Sequence, residues 1–134
     1  MNYDIKIDKY GNKYYYVRKL LHRADGPAIE YTSGTKCWFQ NGLRHREDGP
    51  AVERANGDKL WYKSGVRHRE GGPAIEYSVG TKKWYKNGNL HREDGPAVEW
   101  STGNKEWHFN NKFYGDNNFT NESWKSFVKT LIFS

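Results

Sequence analysis

A period of 23 residues runs through the chain and decides what the chain can fold into. His-Arg stands at 22–23, 45–46, 68–69 and 91–92, and Gly-Pro-Ala follows at 26–28, 49–51, 72–74 and 95–97. Tryptophan recurs in step at Trp38, Trp61, Trp84 and Trp107. A repeat this short is one supersecondary element that buries its apolar side chains only against neighbouring copies. The sequence therefore predicts a tandem array rather than a globule with one central core.

The period divides the chain into an array and a tail. Gly11 and Lys13 match the later copies, whereas Tyr15 stands where the first tryptophan would be, so the array opens with a degenerate copy. The array spans residues 1–117, with the degenerate copy at about 1–21 and full copies at about 22–44, 45–67, 68–90 and 91–114. Residues 118–134 form the tail, which follows a different pattern.

Each copy is predicted to be a β-hairpin. Two short alternating runs flank a turn signal at Ser33-Gly34, and a proline opens the first run, as a strand tolerates. If the turn is a two-residue loop, Ile29 pairs with Trp38 and both lie on the buried face. Cys37 then lies on the solvent face, together with its equivalents in later copies, which include a lysine and a glutamate.

The tail is predicted to be a helix that covers the last repeat. Its apolar residues recur at helical spacing and are Trp124, Phe127, Val128, Leu131 and Ile132. Asn121 is the predicted N-cap. We expect the run of Tyr3, Ile5 and Ile7 to cover the first repeat in the same way. The predicted fold is all-β, an elongated single-layer antiparallel β-meander of 23-residue hairpin repeats with a C-terminal capping α-helix.

Composition bounds the class of protein and its compartment. Only 35% of residues are hydrophobic, but 16% are aromatic, and each buried aromatic ring removes about 150–250 Å² from water. The net charge of +6 favours acidic partners. The single cysteine, Cys37, can form no internal disulfide, and the chain shows neither a secretory signal nor an apolar run of membrane-spanning length. We therefore expect a basic cytoplasmic protein that does not enter a membrane.

The repeat resembles a known family. Copies read Gly-x-Lys-x-Trp-(Tyr/Phe)-x-(Asn/Ser)-Gly and then His-Arg, which resembles the membrane occupation and recognition nexus (MORN) repeat. His-Arg-Glu-Asp-Gly-Pro-Ala-Val-Glu, at 45–53 and 91–99, looks like the divergent form in bacterial, phage and giant-virus proteins. The resemblance covers about residues 10–114 and implies a β-meander used as a protein-interaction scaffold, with lipid binding in some members. Arginine replaces the glycine that usually follows the histidine, which weakens a lipid inference.

The sequence predicts no catalytic residue, no metal site and no cofactor, and therefore no enzyme. The His-Arg pairs with Glu47 and Asp48 look like acid–base groups, but they recur at even spacing, as residues that define a structural repeat do. Gly71 replaces Asp48 in the next copy, which an obligatory proton carrier would not allow. The histidines lie one repeat apart, too far to share a zinc ion.

Two sets of basic residues are candidate binding sites. Arg44, Arg54 and Arg67 depart from the repeat in its central copies, because their equivalents are apolar or aromatic, and such a patch marks a partner-binding surface. The alternative site is an anion-binding ladder on the tryptophan face, formed by Lys36, Lys59, Lys82 and Lys105, with Lys13 in the degenerate copy. Drift would also explain the arginines, and packing of each lysine stem over an aromatic ring would also explain the lysines.

The leading hypothesis is a non-enzymatic repeat scaffold that mediates protein–protein interaction through its central copies. The viral look of the repeats extends it to a phage or other viral protein that inhibits a host-defence factor in the host cytoplasm. The alternative is a protein that sequesters an anionic ligand, a nucleotide signal or nucleic acid, with its lysines and tryptophans. Free sheet edges also allow a homodimer.

Overall fold

The computed structural model describes residues 2–133. The chain divides into two compact units, here called the N-terminal unit (Met1–Val66) and the C-terminal unit (Arg67–Ser134). Both are antiparallel meanders of short strands, and a helix follows the last strand of the second. The prediction of an all-β antiparallel meander of hairpins with a C-terminal helix is therefore confirmed.

The N-terminal unit is built from short antiparallel strands joined in hairpins. Its strands are β1 (Asp4–Ile7), β2 (Lys13–Val17), β3 (Leu20–Leu21), β4 (Ile29–Glu30), β5 (Lys36–Cys37), β6 (Phe39–Gln40), β7 (Leu43–Arg44), β8 (Val52–Glu53), β9 (Lys59–Leu60) and β10 (Tyr62–Lys63). β11 (Val66–Arg67) contains the boundary between the units. The main sheet has the strand order β1-β2-β4-β5-β8-β9, and β6 and β7 form a hairpin beside it.

The C-terminal unit repeats this plan and ends differently. Its strands are β12 (Ile75–Glu76), β13 (Lys82–Lys83), β14 (Tyr85–Lys86), β15 (Asn89–Leu90), β16 (Val98–Glu99), β17 (Lys105–Phe109) and β18 (Lys112–Asp116), followed by α1 (Asn121–Phe133). The main sheet has the order β12-β13-β16-β17-β18, and β14 pairs with β15. The last hairpin, β17–β18, is the longest of this unit and lies next to α1 in the chain.

The first turn of each repeat is longer than predicted, and this reverses which side chains of the second strand share a face with the first strand. The Tyr31 N–H donates to the Thr35 carbonyl at 3.0 Å, so residues 32–34 form the loop. Of these, only Gly34, with a φ of 101°, is left-handed, whereas a type I′ turn needs two such residues. Ile29 therefore pairs with Cys37 rather than Trp38. A shift of one residue in the second strand moves every side chain of that strand to the other face.

The buried face consequently combines the first-strand residues that we predicted to be buried, such as Ile29, with the second-strand residues that we predicted to be exposed, Cys37 and its equivalents. Its buried residues in the N-terminal unit, each at most 7% exposed, are Ile29, Cys37, Val52 and Leu60. We predicted that the tryptophans lie in the core. This prediction is wrong for Trp38, Trp61 and Trp84, which are only half-buried. Trp107 is the exception, because it lies in the apolar core beside α1 and is 0% exposed.

The arginine of each His-Arg pair holds the loop that follows it. Arg46 lies over the Trp38 ring, 3.8 Å from its centroid, and pairs with Glu53 at 3.3 Å. A Cβ atom on Gly49 would come within 3.0 Å of the guanidinium carbon, so a larger residue would displace the arginine. Arg92 makes the same contacts in the C-terminal unit. Packing around the arginine thus explains the spacing of the repeated arginine, glycine and glutamate.

The repeated histidines tie the start of each copy to the turn near its end, and a threonine joins neighbouring copies. His45 Nδ1 accepts a hydrogen bond from the Ser64 N–H at 2.9 Å, and its Nε2 is 2.5 Å from the Glu47 carboxylate. The same bond within a copy is accepted by His22, His68 and His91. At the first turn, Thr35 Oγ1 accepts a hydrogen bond from the Ala55 N–H at 3.0 Å. The histidines therefore tie together the two ends of one copy, whereas the threonine holds neighbouring copies together.

The helix α1 encloses a separate apolar core in the C-terminal unit. Trp124 is fully buried against Trp107, with the ring centroids 5.5 Å apart, and Val128 belongs to the same cluster. The N-cap is Thr120 rather than the predicted Asn121. Thr120 Oγ1 accepts the Ser123 N–H at 3.0 Å, and Ser123 Oγ accepts the Thr120 N–H at 2.8 Å, which is a reciprocal capping arrangement.

The first strand does not cover the sheet as predicted. Tyr3 packs edge to face on Tyr15, with ring centroids 5.6 Å apart. Ile5 and Ile7, however, are 50% and 67% exposed. The expectation that all three residues form a cap is therefore wrong for the two isoleucines.

Candidate functional site

The lysine ladder lies on the face opposite the buried residues, where it alternates with glutamates. In the N-terminal unit, Lys36 has Glu30 opposite it on one neighbouring strand and Glu53 on the other. The same alternation in the C-terminal unit runs through Glu76, Lys82, Glu99 and Lys105, and Lys59 stands beside Glu53. An anion bound to this face would therefore meet carboxylates as well as ammonium groups.

Arg44 is in contact with aromatic rings. Its guanidinium carbon is 5.5 Å from the centroid of Tyr62 and 5.9 Å from that of Phe39. Arg44 is exposed, whereas both rings are half-buried. Contact with two rings restricts the arginine by a cation–π interaction. Its N–H groups favour ligands that accept hydrogen bonds.

Arg54 is paired within its own repeat. Its Nη1 is 3.2 Å from Oδ2 of Asp58, whose side chain is only 8% exposed. The two residues depart from the repeat together, because the other full copies have an aromatic residue and a threonine or asparagine at these positions. Arg54 therefore compensates a buried carboxylate, while 47% of its own side chain stays exposed.

This pairing predicts the outcome of returning the repeat to its consensus. Arg54→Tyr alone should lower the free energy of unfolding by about 1–2 kcal/mol, because it removes the guanidinium that pairs with the buried Asp58 carboxylate. Arg54→Tyr combined with Asp58→Thr recreates the Tyr31 and Thr35 pair and should recover most of that loss. Urea denaturation of the single and double variants measures the difference. Equal losses in both would show that the pair does not stabilise this repeat.

The Cys37 thiol lies among these groups. Cys37 pairs with Val52, two residues before Arg54, and lies two residues before Phe39, which pairs with Arg44. Burial raises the pKa of the Cys37 thiol, and the charges of Arg44 and Arg54 oppose that shift. Burial also raises the pKa of Tyr31, and Arg44 again opposes the shift. We therefore group these neighbouring residues as the tyrosine–arginine face of the N-terminal unit, consisting of Tyr31, Phe39, Arg44, Arg54 and Tyr62.

Arg67 belongs to the C-terminal unit, where it occupies the position of Arg44. Its guanidinium carbon is 5.5 Å from the centroid of Tyr85, as that of Arg44 is from Tyr62. The structure thus brings Arg44 and Arg54 together in one unit, whereas Arg67 lies in the other.

The C-terminal unit also has a polar cluster that the sequence analysis did not single out. Glu106 accepts a hydrogen bond from Trp100 Nε1 at 2.6 Å and is 3.1 Å from His108 Nε2. Burial acts to raise the pKa of Glu106, but these hydrogen bonds and the charge of Lys83 outweigh it and hold the pKa below its ordinary value. The sequence did contain a signal for this cluster, because two charged residues, Lys83 and Glu106, occupy the repeat position of the buried Cys37.

The chain matches no protein-family model and no curated protein. In the part of the chain that the structure describes, no group of three or more His, Cys, Asp or Glu side chains is placed to hold a metal ion. Over residues 2–133, no helix has the length and apolar character needed to cross a membrane. The candidate site is therefore defined by the geometry of the tyrosine–arginine face.

Proposed function

We propose that this protein is a non-enzymatic, MORN-like repeat scaffold that binds another protein through the tyrosine–arginine face. The observation that supports this most is the exposed Arg44 guanidinium held over the rings of Phe39 and Tyr62. Tyrosine and arginine are among the residues most often found at binding hot spots. A guanidinium that is already ordered loses less entropy when it binds a partner.

The charges of this face favour an acidic partner. Its charged residues, Arg44 and Arg54, are both positive, and the neighbouring Asp58 carboxylate is buried and paired. A guanidinium binds a carboxylate through two parallel hydrogen bonds, which fixes the geometry of the contact. The partner surface that fits presents aspartate or glutamate beside apolar side chains, which pack against the half-buried rings. The net charge of +6 adds attraction at longer range.

The alternative, sequestration of a nucleotide signal or nucleic acid by the lysines and tryptophans, has less support. Base stacking needs free faces on the aromatic rings. The Trp38 ring already has the Arg46 guanidinium 3.8 Å from its centroid. Lys36 stands between two glutamates, and the phosphates of a ligand would meet both carboxylates.

Arg44→Glu is expected to weaken partner binding by about 30-fold or more, which is the loss typical of one hot spot. Wild-type protein would be used to capture the partner from a lysate of the source cells, and the purified partner would then be titrated calorimetrically against each variant. Lys36→Glu makes the same change of charge on the opposite face and should change the Kd by no more than about threefold. The Arg54→Tyr, Asp58→Thr double variant gives the contribution of the second guanidinium without an unpaired buried carboxylate.

The same variants separate the two functions. If Lys36→Glu weakens partner binding as much as Arg44→Glu does, the proposed face is wrong. A fluorescent oligothymidylate tests the alternative, because each phosphate that is neutralised adds to the salt dependence of binding. Tight, salt-sensitive binding of that probe, lost when Lys36, Lys59 and Lys82 are neutralised, would favour an anion-binding protein.

We further propose that the partner is a host-defence factor and that the protein acts in the host cytoplasm as a viral inhibitor. Support comes from the resemblance of residues 45–53 and 91–99 to repeats of phage and giant-virus proteins. The captured partner should lose activity when wild-type protein is added and keep it when the Arg44→Glu variant is added. A partner with no defensive activity would leave the scaffold proposal standing and remove this extension.

A further inference from the structure

The first strand of the N-terminal unit has an open edge. β1 pairs with β2 on one side, and within residues 2–133 no strand pairs with its other side. All four residues of β1 are exposed, including Ile5 and Ile7. The unpaired backbone N–H and C=O groups of an exposed edge strand are a template for a further strand.

The backbone groups that face outward can be assigned from the register. The Asp8 N–H donates to the Asn12 carbonyl at 3.0 Å, so these two residues form a hydrogen-bonded pair. Hydrogen-bonded and non-bonded pairs alternate along antiparallel strands. Asp4 and Lys6 therefore direct their N–H and C=O groups toward β2, and Ile5 directs its groups toward the open edge.

The sequence of β1 is complementary to itself about Ile5. If two copies of the strand run antiparallel with Ile5 opposite Ile5, Asp4 of each copy stands opposite Lys6 of the other. Opposite charges in such cross-strand pairs are stabilising, and the two isoleucines cover each other. We propose that two copies of this chain associate through their β1 strands in this register.

The association would place two partner-binding faces on the same side. Lys6 lies over the Tyr16 ring and is paired in register with Tyr14, whose other neighbour is Ile29, so Lys6 shares the side of the sheet that includes Cys37. The two-fold axis of such a strand pair is perpendicular to the sheet, and both tyrosine–arginine faces point the same way. This consequence rests on the proposed function, and it predicts bivalent binding of a partner that presents two acidic sites.

Analytical ultracentrifugation of the full chain tests the association without any partner. Two short strands bury little surface, so the dimer is expected to be weak and to form at roughly 10–500 µM. Wild-type protein should then sediment at twice the 15.7 kDa of one chain. Lys6→Glu places a glutamate opposite Asp4 at both ends of the strand pair and should return the protein to the monomer. Lys9→Glu makes the same change of charge outside the strand and should leave the dimer intact.

The register itself is tested by exchanging the charges. Asp4→Lys combined with Lys6→Glu should restore the dimer, and an equal mixture of the Asp4→Lys and Lys6→Glu chains should form a heterodimer. Ile5→Lys, at a position that is 50% exposed and so tolerant of the change, should also give a monomer. Wild-type protein that remains monomeric over the whole range overturns the proposal, as does a dimer that neither Lys6→Glu nor Ile5→Lys weakens. Binding of the captured partner by the monomeric Lys6→Glu variant, still lost with Arg44→Glu, would show that the scaffold function holds whichever result the dimer gives.

Discussion

Trp124→Ala is expected to lower the free energy of unfolding by about 3–5 kcal/mol, as truncation of a fully buried tryptophan usually does. Trp124 is 0% exposed and packs against Trp107 and Phe119, with ring centroids 5.5 Å and 5.0 Å away. Its Nε1 donates to the Arg92 carbonyl at 2.7 Å, so the variant also loses the hydrogen bond that joins the helix to the last full His-Arg loop. Urea denaturation followed by far-ultraviolet circular dichroism measures the loss.

A matched control lies in the same helix. Phe133 is 83% exposed, and Phe133→Ala should change the free energy of unfolding by no more than about 0.5 kcal/mol. If Trp124→Ala costs no more than Phe133→Ala, the helix is an appendage and does not cover the last repeat. If the predicted difference is found, the single helix supplies much of the stability of the C-terminal unit.

Gly95→Ala is expected to cost about 2–3 kcal/mol although it adds only a methyl group. Its Cβ would lie 2.6 Å from the guanidinium carbon of Arg92. The arginine would have to shift from its position 3.9 Å from the Trp84 ring centroid and 2.8 Å from the Glu99 carboxylate, which weakens both contacts. The expected cost is that of one charge-assisted hydrogen bond and one cation–π contact, reduced because Glu99 is partly exposed.

A double-mutant cycle distinguishes this clash from a general intolerance of alanine at position 95. In an Arg92→Ala background the obstructing side chain is gone. Gly95→Ala should then lower the free energy of unfolding by a further amount of at most about 0.5 kcal/mol. Thermal denaturation of the four proteins gives the coupling energy. Additive losses would show that the glycine is needed for a reason unrelated to the arginine.

The fold could be predicted because the period and the turn residues are both explicit in the sequence. The register of the paired strands could not be predicted, since it depends on whether Ser33 adopts a positive φ, and composition does not reveal that. The resulting error of one residue placed Cys37 on the exposed face, whereas the structure buries it. The lysine and glutamate that replace Cys37 in later copies misled the prediction. The glutamate, Glu106, is tolerated at this position because hydrogen bonds and neighbouring charges stabilise its carboxylate.

The candidate site could be predicted in part. Arg44, Arg54 and Arg67 were found as departures from the repeat, a test that needs no structure. Their aromatic neighbours could not be found, because they depend on the face assignment that the turn decides. The sequence shows that Arg54 and Asp58 both depart from the repeat in the same copy. Only the 3.2 Å distance between their side chains shows that the two departures form one ion pair.

The hydrogen bonds within a copy and between neighbouring copies also limit how such a gene can change in length. His45 Nδ1 reaches a backbone N–H 19 residues further on, and Thr35 Oγ1 reaches one 20 residues further on. Inserting or deleting a single codon between either acceptor and its donor would break the bond, whereas duplicating a complete copy would preserve both. Evolution is thereby steered toward gaining or losing whole copies. The bonds are indifferent to the side chain at the position that Arg44 occupies, so a duplicated copy is free to diversify there and acquire a new partner.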